Sequence, residues 1–253
     1  MICRLAVTIG LVSTVAVGGA AVAKGDARPS ATTVSSLHVF PTTTPHFPVP
    51  RFETAGTYPQ VTDGHLSLDA VNAALRAAVL ADQRSYAPYA RKEKPQIAYT
   101  DYGVYRTGID RNLLSASTVV VSALMPLTRE LFPGQHGGDG WLGITVRVPS
   151  GIRVTITDLL AHPSDGLRHL ATLYIDRLLR QSGGRECLRL YPGDYSPTVA
   201  NYRAFALTPR GLAIGTREDT ACYRTTATVP YRLLRPYLSK LGIRLVAGVR
   251  TPR

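Results

Sequence analysis

His136 is the side chain of this sequence best suited to move a proton. It stands in the run Pro133-Gly134-Gln135-His136-Gly137-Gly138-Asp139-Gly140, three residues before Asp139. An imidazole titrates near neutral pH, and glycines let a ligand approach backbone N–H groups. The pair could serve a ligand-binding turn or the site of a cell-envelope hydrolase. The plainer reading is a turn whose histidine hydrogen-bonds a neighbouring strand. The run lacks the Lys-Ser/Thr ending of a phosphate-binding loop. The sequence has no Gly-x-Ser-x-Gly elbow, and Ser150 and Ser182 lie beside glycines in expected turns. His162 and His169 have no third ligand at zinc spacing and read as surface positions. Asp158 reads as a turn or capping residue, and no carboxylate pair stands out for glycosidic chemistry. Beyond the weak candidates His136 and Asp139, no catalytic residue, metal site or cofactor is expected. The chain reads as a non-enzyme.

Three cysteines are present, Cys3, Cys187 and Cys222. In an exported chain the last two read first as a disulfide, which would stabilise by about 3–4 kcal/mol in the chain-entropy model. A free catalytic thiol is the weaker alternative. Two groups of tyrosines, Tyr86, Tyr89, Tyr99, Tyr102 and Tyr105, then Tyr191, Tyr195 and Tyr202, could stack on sugar or peptide, or pack between strands.

Export follows from the first residues. Arg4 precedes an apolar run, Leu5 to Ala23, with small residues at Ala21 and Ala23. This is the pattern of a signal peptide (residues 1–23) cleaved after Ala23. An uncleaved anchor is the rival, since the run is about long enough to span a bilayer. Cleavage predicts a secreted, extracellular protein, free in the medium or associated with the cell wall. Lys and Arg number 29 against 17 Asp and Glu, a formal net charge of +12. That surplus favours anionic partners. It is spread along the chain, so no specific nucleic-acid face is expected.

Residues 24–52 are rich in Pro and Thr and read as a linker, with a strand allowed near Ser35–Phe40. Residues 53–250 then read as a single composite domain, with an N-terminal half over 53–127 and a C-terminal half over 128–250. Leu68, Val71, Leu75 and Val79 recur at helical spacing after Ser67, predicting a helix that ends near Arg84. Ile97–Tyr105 and Leu113–Leu124 read as strands and 133–140 as a loop. A hairpin is predicted from Trp141 to Ile156 around Pro149-Ser150-Gly151. A second helix is expected over Asp165–Gln181, capped by Ser164, with Leu167, Leu170, Tyr174 and Leu178 buried and Gly183 as its stop. Cys187–Leu190 reads as a short strand. Thr208-Pro209-Arg210-Gly211 joins a second hairpin, followed by a strand over Thr225–Val229. A third helix runs through Leu234, Tyr237, Leu238 and Leu241 to a stop at Gly242, and Leu245–Val249 adds a last strand. The fold class is α+β, a mainly antiparallel or mixed sheet with about three amphipathic helices packed on it.

Several short pieces occur in a recognisable order. They are Tyr58-Pro59-Gln60-Val61, a helix carrying Asn72, Gly134-Gln135-His136-Gly137, Gly143-Ile144-Thr145-Val146, Val154 to Leu160, Asn201 to Thr208, Gly211 to Ile214, and Val229-Pro230-Tyr231. This order resembles the extracellular domain of RsiV-type lysozyme-sensing anti-sigma factors. That domain, of unknown function elsewhere, is shared with secreted mycobacterial immunogenic antigens and with the non-catalytic part of a peptidoglycan deacetylase. The resemblance covers roughly residues 53–240 and implies a binding domain. With no second apolar span after residue 23, it does not imply an anti-sigma role. Lysozymes of that type are basic, so a strongly basic chain would be repelled by them. The expectation is a secreted, non-enzymatic, antigen-like monomer that binds an extracellular protein, glycan or anionic surface and keeps no membrane anchor.

Overall fold

The strand β5 (Val120–Phe132) organises the molecule. Its first half, Val120-Val121-Ser122-Ala123-Leu124-Met125, is apolar or small at every position and buried throughout. That is the pattern of a strand covered on both faces. Val121, Ala123, Met125 and Leu127 share one core with Val71, Leu75 and Val79 of α1 (Asp69–Lys92). On the opposite face, Leu124 packs with Ala204, Ala206 and Ala213.

The computed structural model describes residues 38–43, 52–63, 67–92, 97–103, 114–132, 135–181, 184–215 and 226–249. The expected signal segment, with Ala23, lies outside them. Six strands form the larger sheet. β1 (His38–Thr43) pairs antiparallel with β2 (Phe52–Thr62), which runs parallel to β3 (Ile97–Gly103). β3 and the short β4 (Leu114–Ala116) both pair antiparallel with β5, β3 along its second half and β4 along its first. β6 (Gln135–Arg147) pairs with β5 along nearly its full length. The connection from β2 to β3 runs through α1, as a parallel pair requires. Asn72 on α1 extends the ladder: its amide donates to the Val61 carbonyl and accepts from the Val61 N–H, both at 2.9 Å.

A second sheet contains β7 (Phe205–Thr208), β8 (Gly211–Gly215) and β9 (Thr226–Val229), all antiparallel. It shares a core with α2 (Pro163–Leu179), α3 (Gly184–Leu190), α4 (Tyr231–Leu234) and α5 (Lys240–Val249). In α2, Leu167, Leu170, Tyr174 and Leu178 are buried, as the helical period predicts. The fold is therefore α+β, with mixed and antiparallel pairing.

Several expectations need correction. The strand allowed near Ser35–Phe40 is β1, at His38–Thr43 within the expected linker, and β2 is a strand that no pattern marked. α1 continues through Pro88 to Lys92 instead of ending near Arg84. The expected strand Leu113–Leu124 is two paired strands. Ser117 turns the chain between them, its hydroxyl accepting from the N–H groups of Val119 and Val120. The expected loop 133–140 is, from Gln135, the start of β6; glycines had hidden a strand whose alternation needs side chains to be read. Its register steps past Gly137 opposite Arg129 and Glu130. The turn at Pro149-Ser150-Gly151 is present, with Gly151 at φ 68°. The chain leaving it makes a single bridge, Val146 to Arg153, and no second strand arm.

His162, not Ser164, occupies the N-cap of α2, because Pro163 opens the helix. Gly183 lies outside the described residues. Cys187–Leu190 is helical. The expected third helix is α4 followed by a 3₁₀ turn at Arg235–Tyr237. Gly242 lies inside α5, and the strand expected at Leu245–Val249 is that helix. Ser239 starts α5, its hydroxyl accepting from the Gly242 N–H at 2.9 Å. β5 runs through residues 127 and 128, where the two expected halves of the domain adjoin.

Candidate functional site

A cleft of about 190 Å³ opens between α1, the middle of β6 and the segment Ala200–Ala204. Asp82 and Ser85 of α1, Trp141 of β6, Arg153, Asn201 and Arg203 line it. Its shape depends on Gly143. A Cβ there would lie 2.4 Å from the Phe205 nitrogen and 2.8 Å from the Ala204 Cα, so only glycine lets β6 and β7 approach this closely. The segment at Asn201 is held from below. The Asn201 amide donates to the Gly193 carbonyl at 2.9 Å and the Ser196 carbonyl at 3.0 Å. The buried Tyr202 hydroxyl donates to the Tyr195 carbonyl at 3.0 Å. Trp141 packs beside Leu124 and the alanines of β7 and β8. Its indole nitrogen is buried and has no hydrogen-bond partner among the described residues.

The charge behind the cleft is balanced. Arg129 donates to both oxygens of Asp82 at 2.8 Å, and the Tyr102 hydroxyl donates to one of them at 2.7 Å. The Arg129 side chain is 5% exposed and that of Asp82 12%. The guanidinium carbon lies 4.5 Å from the centre of the Tyr86 ring. Burial, and next the Asp82 carboxylate, push the Tyr102 phenol well above its ordinary pKa. This cluster is a structural ion pair that holds α1 on the sheet.

A second feature is a surface groove of about 550 Å³ formed by α4, the 3₁₀ turn and α5. Arg232, Arg235, Leu238 and Ile243 are among its walls, and Ile243 is 49% exposed. Tyr231–Val249 contains Arg232, Arg235, Lys240 and Arg244 and no carboxylate. All four cations have exposed or near-exposed side chains.

The residues singled out from sequence fall elsewhere. His136 and Asp139 lie on β6, opposite Glu130 and Thr128, with their side chains outside the described set. The chain there is a paired strand and not an open loop. His169 stacks on Tyr237 at 4.2 Å, and its ring nitrogen lies 3.1 Å from the Leu233 carbonyl, tying α2 to α4. Asp158 closes a turn, accepting from the Thr155 N–H and hydroxyl at 2.7 Å. Tyr86, Tyr102, Tyr195 and Tyr202 are buried and are unavailable for stacking on sugars. Tyr202 and Tyr195 surround Tyr174 in the second core. Cys187 is buried and disulfide-bonded; Cys222 lies outside the described residues. Among the described residues no group of three or more His, Cys, Asp or Glu side chains could hold a metal, and no helix is long and apolar enough to cross a membrane.

The elements define an α+β domain of known shape. It is similar to a member of the DUF3298 family from Bacteroides fragilis NCTC 9343, with a TM-score of 0.51 and 11% identity, over 87% of this chain and 99% of that one. A DUF3298 family protein from Pseudomonas aeruginosa PAO1 is similar with a TM-score of 0.47 and 13% identity, over 82% of this chain and 95% of that one. No family model matches the sequence, and no curated protein does. At such identity the likeness concerns the fold alone, and DUF3298 is a domain of unknown function.

Proposed function

We propose that this chain is a secreted, non-enzymatic binding domain that acts at the cell envelope or outside the cell. Its contact face is the α4–α5 groove, and its partner is an anionic surface. The observation that carries this reading is the composition of Tyr231–Val249: four cations, no carboxylate and an exposed isoleucine beside an arginine-lined groove. Apolar insertion next to cations is how a folded domain holds an anionic interface, each cation near the surface contributing about 1 kcal/mol. The apolar run Leu5 to Ala23 and the oxidised Cys187 support export, with Cys222 as the disulfide partner. The RsiV-type resemblance fits a binding domain of the envelope.

The test uses the mature protein with phosphatidylglycerol and phosphatidylcholine vesicles. Co-sedimentation with the anionic vesicles alone, weakening between low salt and about 1 M salt, is expected, because the Debye length shrinks to about 3 Å there. Replacing Arg232 and Arg235 by Gln removes about 2 kcal/mol, or roughly 30-fold in affinity. Binding indifferent to salt and to these changes would overturn the reading. It also expects no turnover of ester, peptidoglycan or peptide substrates. Turnover that disappears in His136→Ala would replace it with an envelope hydrolase.

A further inference from the structure

The α4–α5 groove has two unlike walls, one cationic and one apolar. We infer that it takes up a single phospholipid molecule, with one acyl chain along its floor and the anionic headgroup on its arginines. This rests on the reading of the α4–α5 face as the contact with an anionic surface, and it names what that face draws from the surface. At about 550 Å³ the groove lies within the roughly 300–1,000 Å³ of small-molecule sites.

Arg232 and Arg235 form the cationic wall. They stand three residues apart in α4 and the 3₁₀ turn that follows it, a spacing that brings side chains to one face. Both are exposed. Arg129, Arg168, Arg180 and Arg189 each pair with a carboxylate, whereas Arg232 and Arg235 have no ion-pair partner among the described residues. A guanidinium only donates, and its planar fork matches the oxygens of a phosphate. The other wall is carbon. Ile243, Val246 and Ala247 follow at i, i+3 and i+4 along α5 and share a face. Leu238 and Tyr231 complete the lining, and the Tyr231 hydroxyl is already engaged, accepting from the Thr208 N–H at 3.0 Å. Such a floor is best covered by hydrocarbon. The flat headgroup plane of a bilayer meets the arginines but leaves a concave apolar floor unfilled. A lipid that lends one acyl chain satisfies both walls.

The test titrates the mature protein with myristoyl-lysophosphatidylglycerol below its critical micelle concentration, by isothermal titration calorimetry, beside vesicle co-sedimentation of the same sample. Saturable binding of one lysolipid per chain is expected. Glycerol phosphate lacks the tail, and the choline lysophospholipid of the same chain brings an ammonium to a face of four cations. Each should bind about tenfold or more weakly. Shortening the acyl chain by two carbons should weaken binding roughly tenfold. Arg232→Gln with Arg235→Gln should weaken it about 30-fold. Ala247→Trp fills the groove from an exposed position of the apolar wall, and should weaken binding about tenfold or more while circular dichroism shows the fold retained. No saturable lysolipid binding with vesicle sedimentation intact would overturn this inference and leave the surface contact standing; loss of sedimentation as well would remove both. Equal affinity for the two lysolipids, indifference to chain length, or unchanged affinity in Ala247→Trp would also overturn it. So would tighter binding of poly-L-glutamate than of the lysolipid, which would assign the groove to an acidic polypeptide.

Discussion

Replacing Asp82 by Ala tests whether the buried ion pair holds the helix layer to the larger sheet. The carboxylate accepts from Arg129 through both oxygens at 2.8 Å and from the Tyr102 hydroxyl at 2.7 Å. The Arg129 side chain is only 5% exposed, so once Asp82 is gone its charge stays in a poorly solvated site. Removing one partner of a buried pair costs about 3–5 kcal/mol, because the other charge stays in a site of low dielectric. A surface pair would cost no more than about 1 kcal/mol. For a domain of this size each kcal/mol lowers the melting temperature by roughly 2–4 °C, so Asp82→Ala should melt roughly 6–20 °C below the parent. The assay is thermal unfolding followed by circular dichroism, with urea unfolding as a second measure of free energy. A companion variant removes the whole cluster: Asp82→Leu, Arg129→Met and Tyr102→Phe together. Both desolvation penalties vanish with the charges, so most of the lost stability should return. A loss below about 1 kcal/mol in Asp82→Ala would refute the reasoning. So would a triple variant as unstable as the single one.

Ser122→Ala should cost about 1–3 kcal/mol in urea unfolding. The Ser122 hydroxyl accepts from the Leu207 N–H at 2.8 Å and lies 2.6 Å from the Thr145 hydroxyl, so the change strands buried polar groups between the two sheets. Gly143→Ala should destabilise by about 1–3 kcal/mol, since the new Cβ would press on the backbone at Ala204 and Phe205. Stability should also fall in alkali. Burial raises the phenols of Tyr102 and Tyr202 in the folded chain, so their contribution is complete below the unfolded value near pH 10. Above about pH 10 only the unfolded chain loses these protons, and stability should decline; Tyr102→Phe and Tyr202→Phe should each flatten the decline measured by unfolding at pH 9 to 11.

What was legible in the sequence followed side-chain period. α2 shows its buried stripe at the spacing of 3.6, and β7 and β8 flank a Pro-Arg-Gly turn, so both are found where the pattern places them. Glycine defeated the same logic at Gln135–Gly140, where a strand has too few side chains to display alternation. The split between β4 and β5 is marked by neither Gly nor Pro, because a serine hydroxyl closes the turn. α5 was misread since Gly242 resembles a stop. That glycine sits against the Leu159 carbonyl, 2.4 Å from where a Cβ would be, and the packing explains why it interrupts nothing.

The cleft was hidden for another reason. Asp82 and Arg129 are 47 residues apart, and no local pattern joins them. Trp141 and Arg153 looked like ordinary residues of a hairpin. Asn201 and Arg203 appeared only as part of an ordered motif. The basic face was closer to the surface of the sequence: the cations from Arg232 to Arg244 and the missing carboxylates can be read directly, but their grouping with Ile243 on a groove needs α5 to be a helix.

Hydrogen–deuterium exchange on the mature protein, alone and bound to phosphatidylglycerol vesicles, shows whether the α4–α5 face makes the contact. Slowed amide exchange confined to Tyr231–Val249 is expected on binding, with β2, α1 and β3 unchanged. Slowed exchange on the α1 and β1–β3 side with none over Tyr231–Val249, or no change anywhere, would contradict it.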